Sequence, residues 1–284
     1  MHHFRNFHSP SAKSAPMTED QVRLIAPSIF AEAAHESRSD RYTYIPSVNV
    51  LRGMMHEGFL PVSARQTRTR DESRRDFTKH MIRFRREGAE FSGVGDTLPE
   101  VVLINSHDGT SSYHLMGGLF RLICLNGMVI ADQTFASVKV AHKGDVLSQV
   151  IEGAYTVIGE SVKALKAPRE WSQIALQAPE REALAEAAHV LRFSNADGET
   201  DTSIRPAQLL LPRRHDDQAS DLWTTFNVVQ ENVIRGGLTA VGRDANGRRR
   251  RTTTRAVNGI DQDVRLNKGL WVLAERMAEI KAAA

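Results

Sequence analysis

A chain of 284 residues, 41% hydrophobic and 25% charged, has a globular composition and enough length for one large domain or two modest ones. Its formal net charge of +3 is too small to point to a partner, so the places where arginines cluster carry more information than their sum. A single cysteine excludes a disulfide framework and a cysteine-based zinc cluster, and no apolar stretch has the length of a membrane span.

Residues 1–24 read as a flexible lead. MHHFRNFHSPSAKSAP has no apolar core of a secretory signal, so a cytoplasmic protein is expected. Residues 25–284 read as a single α+β domain, β-rich over 41–142 and helical over 143–284, with a basic loop at 238–258. The predicted architecture is an N-terminal helix plus a curved antiparallel β-sheet, followed by packed C-terminal helices. SVNVLRGMMHEG predicts the first helix, with Ser47 as its cap, Val48, Leu51 and Met55 on one stripe, and Gly58 at its end. Strands are expected in FLPVSARQTRTR, DFTKHMIRFRRE, PEVVLINS, SYHLMGGLFRLICL, GMVIAD and FASVKVAHKG. His107-Asp108-Gly109 and Asn126-Gly127 supply two of the turns. GDVLSQVIEGAYTVIGESVKALK and PEREALAEAAHVLRF follow as helices, then SDLWTTFNVVQENVIRGG, stopped by Gly236-Gly237. GRDANGRRRRTTTRAVNG is too polar and glycine-rich to pack and reads as the loop before a terminal helix carrying Leu266, Leu270, Leu273, Met277 and Ile280 on one face.

Catalytic motifs are missing: no phosphate-binding P-loop, GxGxxG, GxSxG or HExxH occurs. Cys124 reads as a small buried hydrophobe rather than a nucleophile. His107-Asp108 is better read as part of a turn than as a metal-binding pair. Asp261 and Asp263 fit the acid-favouring start of a helix better than a divalent-metal site. Glu100 and Asp108 flank VVLIN as in nuclease cores, but the lysine those cores need is missing. No catalytic residue, metal or cofactor is therefore expected.

The arginines are informative. Between the two predicted hairpin strands and along them lie Arg65, Arg68, Arg70, Arg74, Arg75, Lys79, Arg83, Arg85 and Arg86, against Asp71, Glu72 and Asp76. Arg68 and Arg70 share parity on one strand, and Lys79, Arg83 and Arg85 share parity on the next, which predicts one basic stripe on one sheet face. Such a stripe neutralises backbone phosphates and releases counterions. A second cluster, Arg248, Arg249, Arg250, Arg251 and Arg255, is interleaved with threonines Thr252, Thr253 and Thr254 and reads as a mobile arm closing over a bound strand. Lys139, His142 and Lys143 form a minor third group, and Tyr42, Tyr44 and Tyr113 are stacking candidates whose commoner role is core.

RYTYIPSVNVLRGMMHEGFLPVSARQTRTRD, FTKHMIRFRR, LINSHDGTSSYHLMGGLFRLICLNGMVI, HKGDVLSQVIEGAYTVI, DLWTTFNVVQENVIRGG and RRRTTTRAVNGIDQDVRLNKGLW resemble domain of unknown function family 932. The resemblance covers residues 25–275 and implies a plasmid or prophage context, with no catalytic residues to carry over. More distantly, YTYIPSVNVLRGMMHEGFLPVSARQT resembles the opening of the Rad fifty-two single-strand annealing domain. That resemblance implies a helix leading into a curved sheet, a basic hairpin holding single-stranded DNA, and an oligomeric ring. The segment order departs after the hairpin, where two more strands follow SHDGTSS.

The resulting expectation is a non-enzymatic protein that binds and anneals single-stranded DNA as a homo-oligomer, a ring being one form. Reversing Arg83 and Arg85 to Glu should then abolish DNA retention and spare the fold. The competing expectation is a mobile-element protein that blocks a host defence or regulatory protein.

Overall fold

A computed structural model of the protein describes residues 16–36, 44–88, 97–121, 137–195, 197–200, 202–243 and 248–283, with 127–130, Arg243 and Arg250 by backbone alone. Tyr42, Cys124 and Asn126 lie outside the described residues. The chain forms two compact units, Met1–Gly127 with Gln133–Lys163, and Met128–Asp132 with Ala164–Ala284. The structure is α+β, as its sequence patterning predicts.

In the first unit, α1 (Glu19–Ile25) begins at a capping box in which Thr18 and Gln21 satisfy each other's backbone N–H. It precedes α2 (Ser47–His56) and the strands β1 (Phe59–Gln66), β2 (His80–Arg86), β3 (Thr97–Asn105), β4 (Tyr113–Arg121) and, after β5 (Gly127–Ile130), whose last three residues count with the second unit, β6 (Ser137–Val140). Strands β1 to β4 form an antiparallel meander, and β6 pairs with β4. The long helix α3 (Val146–Ala164) follows.

One sheet face packs against α2 and α3. Phe59, Ile82, Phe84, Val101, Leu103, Tyr113 and Leu115 meet Val50, Leu51 and Met54 of α2 and Val146, Val150, Ala154 and Val157 of α3. The buried α2 stripe is thus rotated from the one the sequence predicts, with Val48 and Met55 at its edge. Close approach sets the geometry: a Cβ on Gly53 would lie 2.5 Å from Leu147, and one on Gly117 2.1 Å from the Ser161 hydroxyl. Gly58, at φ +79°, ends α2 as expected. Pro46, not Ser47, is the cap residue, because the Ser47 hydroxyl is drawn inward.

The second unit is helical: α4 (Lys166–Trp171), α5 (Ala178–Phe193), α6 (Leu222–Arg235) and α7 (Ile260–Ala283). Asp221 caps α6 through the Thr224 N–H, and 12 of its 14 residues are buried. Trp171, Trp223, Phe226 and Trp271 form an aromatic cluster, with Trp171 and Trp271 centroids 4.5 Å apart. The region 238–258, read from sequence as a loop, is instead a hairpin. β7 (Thr239–Arg243) pairs antiparallel with β8 (Arg249–Thr253), because β-branched Val241, Thr252 and Thr253 suit strands and the pairing satisfies the backbone.

Gly236, at φ +64°, ends α6 and lets the chain turn into β7, and a Cβ there would lie 2.5 Å from the Arg255 carbonyl carbon. Gly236→Ala should destabilise the second unit by roughly 1–3 kcal/mol through backbone strain alone. All three tryptophans lie in that unit, so fluorescence-detected denaturation reads the loss directly.

Candidate nucleic-acid interface

Burying a cation costs several kcal/mol unless a carboxylate partners it, so each arginine's neighbours decide what it can bind. Arg83 and Arg85 alternate with Ile82 and Phe84 on β2 and so point away from the α2–α3 layer. Phe84 pairs with Val101, which sets Arg85 beside Glu100 one position further on. The Glu100 side chain has no exposed surface and takes Arg83 Nη2 at 2.7 Å and Arg85 Nη2 at 2.7 Å. The Arg83 guanidinium also lies 3.4 Å from the Phe120 ring centroid. Met81, Leu98, Val102, Met116 and Phe120, on the same face, are buried.

The predicted stripe is therefore corrected. Arg83 and Arg85, only 17% and 20% exposed, are committed to a buried carboxylate rather than offered to a phosphate. Arg68 and Arg70 fall beyond β1, which ends at Gln66, so they share no strand face with the others. Lys79 precedes β2, and its carbonyl accepts from the Thr67 N–H at 2.8 Å. Reversing Arg83 and Arg85 would place three carboxylates together in a buried site, so the fold would not be spared.

Other cations remain at the surface. Arg68, Arg70, Arg74 and Arg75 are exposed on the β1–β2 connection, where residues 72–77 form a 3-10 helix. Arg74 pairs with Asp71 at 3.5 Å, a solvated contact of little energetic weight. Lys139 on β6 and Lys143 after it are exposed as well. The strand registers bring the β1–β2 connection, the β3–β4 turn and the segment after β6 to the same end of the sheet. Arg65 lies half-buried opposite Met81. Arg86 is separate, at the far end of β2, with its guanidinium 5.1 Å from the Tyr155 ring centroid.

The second surface is the β7–β8 ribbon. Arg248, Arg249, Arg251 and Arg255 are exposed, and Arg249 and Arg251 share one face with Val241, which pairs with Arg251. Among the described residues no carboxylate lies within 4 Å of Arg249, Arg251 or Arg255. The other face is covered at Gly242, where a Cβ would lie 2.0 Å from the Ser203 hydroxyl. The Gln208 amide donates to the Thr239 carbonyl at 2.9 Å, pinning the ribbon's base. In the helical part of this unit, arginine plays the interior role again. Glu231 of α6 accepts from Arg214 at 2.6 Å and from Arg235. Burial acts to raise the Glu231 pKa, but those hydrogen bonds outweigh it and hold the carboxyl below its ordinary range. Asp263, read as a capping acid, is in the first turn of α7, and its carboxylate accepts from Asn267 at 2.6 Å. Asn267 in turn accepts from Gln230 of α6 at 2.8 Å.

A polar cluster that the sequence reading missed lies inside the same end of the sheet. His80, on the apolar parity of β2 with Ile82 and Phe84, is fully buried. Its Nδ1 lies 3.3 Å from the Thr78 carbonyl and its Nε2 2.9 Å from Ser47 Oγ. A proton on Nδ1 satisfies the carbonyl and lets Nε2 accept from Ser47. Ser47 Oγ also accepts from Asn105 Nδ2 at 3.0 Å, and Asn105 Oδ1 lies 2.9 Å from His142 Nε2. Tyr113, a stacking candidate by sequence, donates to the Ile45 carbonyl at 3.0 Å and is core. Tyr44 meets the His107 ring edge-on at 5.1 Å. The signal that could have found this cluster was a histidine on the buried face of a strand.

His107 differs. It has no exposed surface, both ring nitrogens lack a hydrogen-bond partner, and its ring lies 5.3 Å from that of His80. The turn reading holds for the next two residues, since Asp108 accepts from the Thr110 N–H at 3.0 Å and Gly109 has φ +77°. Among the described residues, no group of three or more His, Cys, Asp and Glu could hold a metal ion. No helix among them is long and apolar enough to cross a membrane.

Arginine spent inside and arginine displayed outside together define an α+β protein with cationic surfaces and a polar buried sheet end. The chain belongs to the family described as "Domain of unknown function (DUF932)", whose model matches residues 34–271. It is 48% identical over 265 residues to the UPF0380 protein YfjQ of Escherichia coli (strain K12), covering 93% of each chain. UPF0380 protein YafZ of the same strain is equally similar, at 48% over 265 residues and 93% of each chain. No solved structure matches the chain.

Burial holds His80 down to about 3 and His107 down to about 4, with the imidazole of His107 adding to the effect at His80 and that of His142 at His107. A histidine whose folded pKa lies below its unfolded value of about 6.5 takes up a proton on unfolding, so stability rises with pH between the two values. The first unit should therefore lose stability as pH falls from about 6.5 toward 4, by about 1.4 kcal/mol per pH unit for each histidine. His107→Phe should remove one proton from that dependence and be neutral or stabilising at pH 7, since it replaces an unpartnered polar ring. Amide hydrogen exchange of β2–β4 at several pH values checks both. An unchanged pH dependence in a folded variant would refute the assignment.

Proposed function

We propose that the protein is a non-enzymatic nucleic-acid-binding protein of a plasmid or prophage that binds and anneals single-stranded DNA in the cytoplasm. The observation that carries the nucleic-acid part of this reading is the β7–β8 ribbon, where Arg249 and Arg251 stand exposed on one face with no described carboxylate nearby. In a chain that pairs its interior arginines with Glu100 and Glu231, cations left without such a partner are available for a polyanion. Arg68, Arg70, Arg74 and Arg75 on the β1–β2 connection add a second exposed cluster, with Lys139 and Lys143 at the same end of the sheet. The distant resemblance to single-strand annealing domains points the same way. Annealing requires charge neutralisation and exposed base edges on a repeated surface, so the acting form is a homo-oligomer, of which a ring is one closed arrangement.

Fluorescence anisotropy with a labelled single-stranded oligonucleotide, without metal, at low and moderate salt tests the reading. Binding should weaken with salt, and each phosphate contact removed by replacing Arg68, Arg70, Arg74 or Arg75 with Ala should reduce the logarithmic salt slope by about 0.7. Complementary strands should then anneal faster with the protein than without it. Absence of binding at low salt would sink the proposal, and salt-independent association with a host protein would put a blocking function in its place.

A further inference from the structure

Resting on the nucleic-acid reading, we infer that the β7–β8 ribbon is a duplex-specific element that inserts its Arg249–Val241–Arg251 face into the major groove of double-stranded DNA. Shape comes first. The major groove is about 12 Å wide and admits a two-stranded β-ribbon as it stands, whereas the minor groove, about 6 Å wide, takes one only when the duplex is bent or widened. Two paired strands lie about 4.8 Å apart and twist right-handedly, which lets such a ribbon follow a helical groove. The ribbon is anchored at its Thr239 end, where the Gln208 amide donates to the Thr239 carbonyl.

Side-chain chemistry comes second. A clamp for phosphates alone has no use for an exposed hydrophobe at its centre, yet Val241 is 51% exposed directly opposite Arg251 and beside Arg249. Arginine on guanine O6 and N7, flanking an aliphatic group against a thymine methyl, is the donor and apolar pattern that major-groove edges accept. Arg249 and Arg251 are two positions apart, about 6.8 Å along a strand at 3.4 Å per residue, so they reach different base-pair levels rather than one point. Thr239 and Thr253, paired on the same face, add a hydroxyl and a methyl each.

Third is the anchoring. Gly242 packs against Ser203, Gln208 holds the Thr239 carbonyl, and the Leu238 N–H donates to the Thr254 hydroxyl at 3.0 Å. The Gly237 N–H and the Thr254 carbonyl, 2.8 Å apart, extend the ladder beyond β8. A ribbon tied down on its inner face presents its outer face without reorganising, which favours a rigid groove over a pliable strand. In an annealing protein this places product recognition on the ribbon and leaves strand capture to the exposed arginines of the first unit.

The test uses the full chain, a fluorescein-labelled duplex and each of its separated strands, with Arg249→Ala/Arg251→Ala compared against Arg68→Ala/Arg70→Ala. The ribbon variant should lose about tenfold or more in duplex affinity while affinity for the separated strands changes by less than about threefold. Dimethyl sulfate footprinting should show guanine N7 protected by the wild-type protein and unprotected with the ribbon variant. Unchanged tryptophan fluorescence verifies the second unit's fold. Equal losses on duplex and single strands, or N7 atoms that stay reactive in the wild-type complex, overturn the groove assignment while the nucleic-acid reading stands. A wild-type protein that binds neither form overturns both.

Discussion

A carboxylate with no access to water, Glu100, sits at the middle of the first unit's sheet and is held there by two arginines from the neighbouring strand. An isolated buried carboxylate would surrender its charge or unfold its surroundings, and two buried guanidiniums cannot surrender theirs at all. The triad resolves both problems at once, and it locks the β2–β3 register, since a one-residue slip would turn Glu100 to the opposite face. The flanking side chains, Met81, Val102 and Phe120, are apolar and buried, so the pair of ion contacts is the face's principal polar feature among the described residues. Its worth lies in specificity more than in net stability, because the cost of desolvation offsets most of the attraction.

The second unit uses the same device. Glu231 lies on a helix almost wholly buried, and Arg214 and Arg235 converge on it. Around it the helix carries Asn227, whose amide donates back to the Trp223 carbonyl one turn earlier, and Gln230 and Asn232, which donate to an amide and a carbonyl of neighbouring segments. Interior polar groups of this kind tie α6 to α7 and to the segments before it, while the tryptophan cluster supplies apolar burial. The ribbon grows directly from this framework through Gly236, so a rigid interior positions a cationic exterior.

At the sheet end of the first unit, structure and surface chemistry lie close together. His80, Ser47, Asn105 and His142 form a hydrogen-bonded chain beneath the connections that carry the exposed arginines. Burial lowers the pKa of both imidazoles, which avoids adding buried positive charge under a cationic surface. The unpartnered His107 is the point where this arrangement is least satisfied, and it is tied at its backbone to both Phe77 and His35.

Helix α1 begins inside the segment read as a flexible lead and β7–β8 in one read as a loop, but by itself the sequence determined the order of α2, β1–β6, α3, α5, α6 and α7, the turns at Gly58, Gly109 and Gly236, and membership of the family. These follow from periodicity, glycine's left-handed backbone and matched motifs, all of which are local. Only the tertiary structure decided which arginines face water. Alternation along β2 showed that Arg83 and Arg85 share a side, but not that the side is buried or that Glu100, fifteen residues beyond Arg85, waits there. The polar run at 238–258 likewise gained its strand form from pairing partners that composition does not weigh. Parity is a property of one strand, whereas burial and charge pairing belong to contacts between strands, and those exist only once the chain has folded.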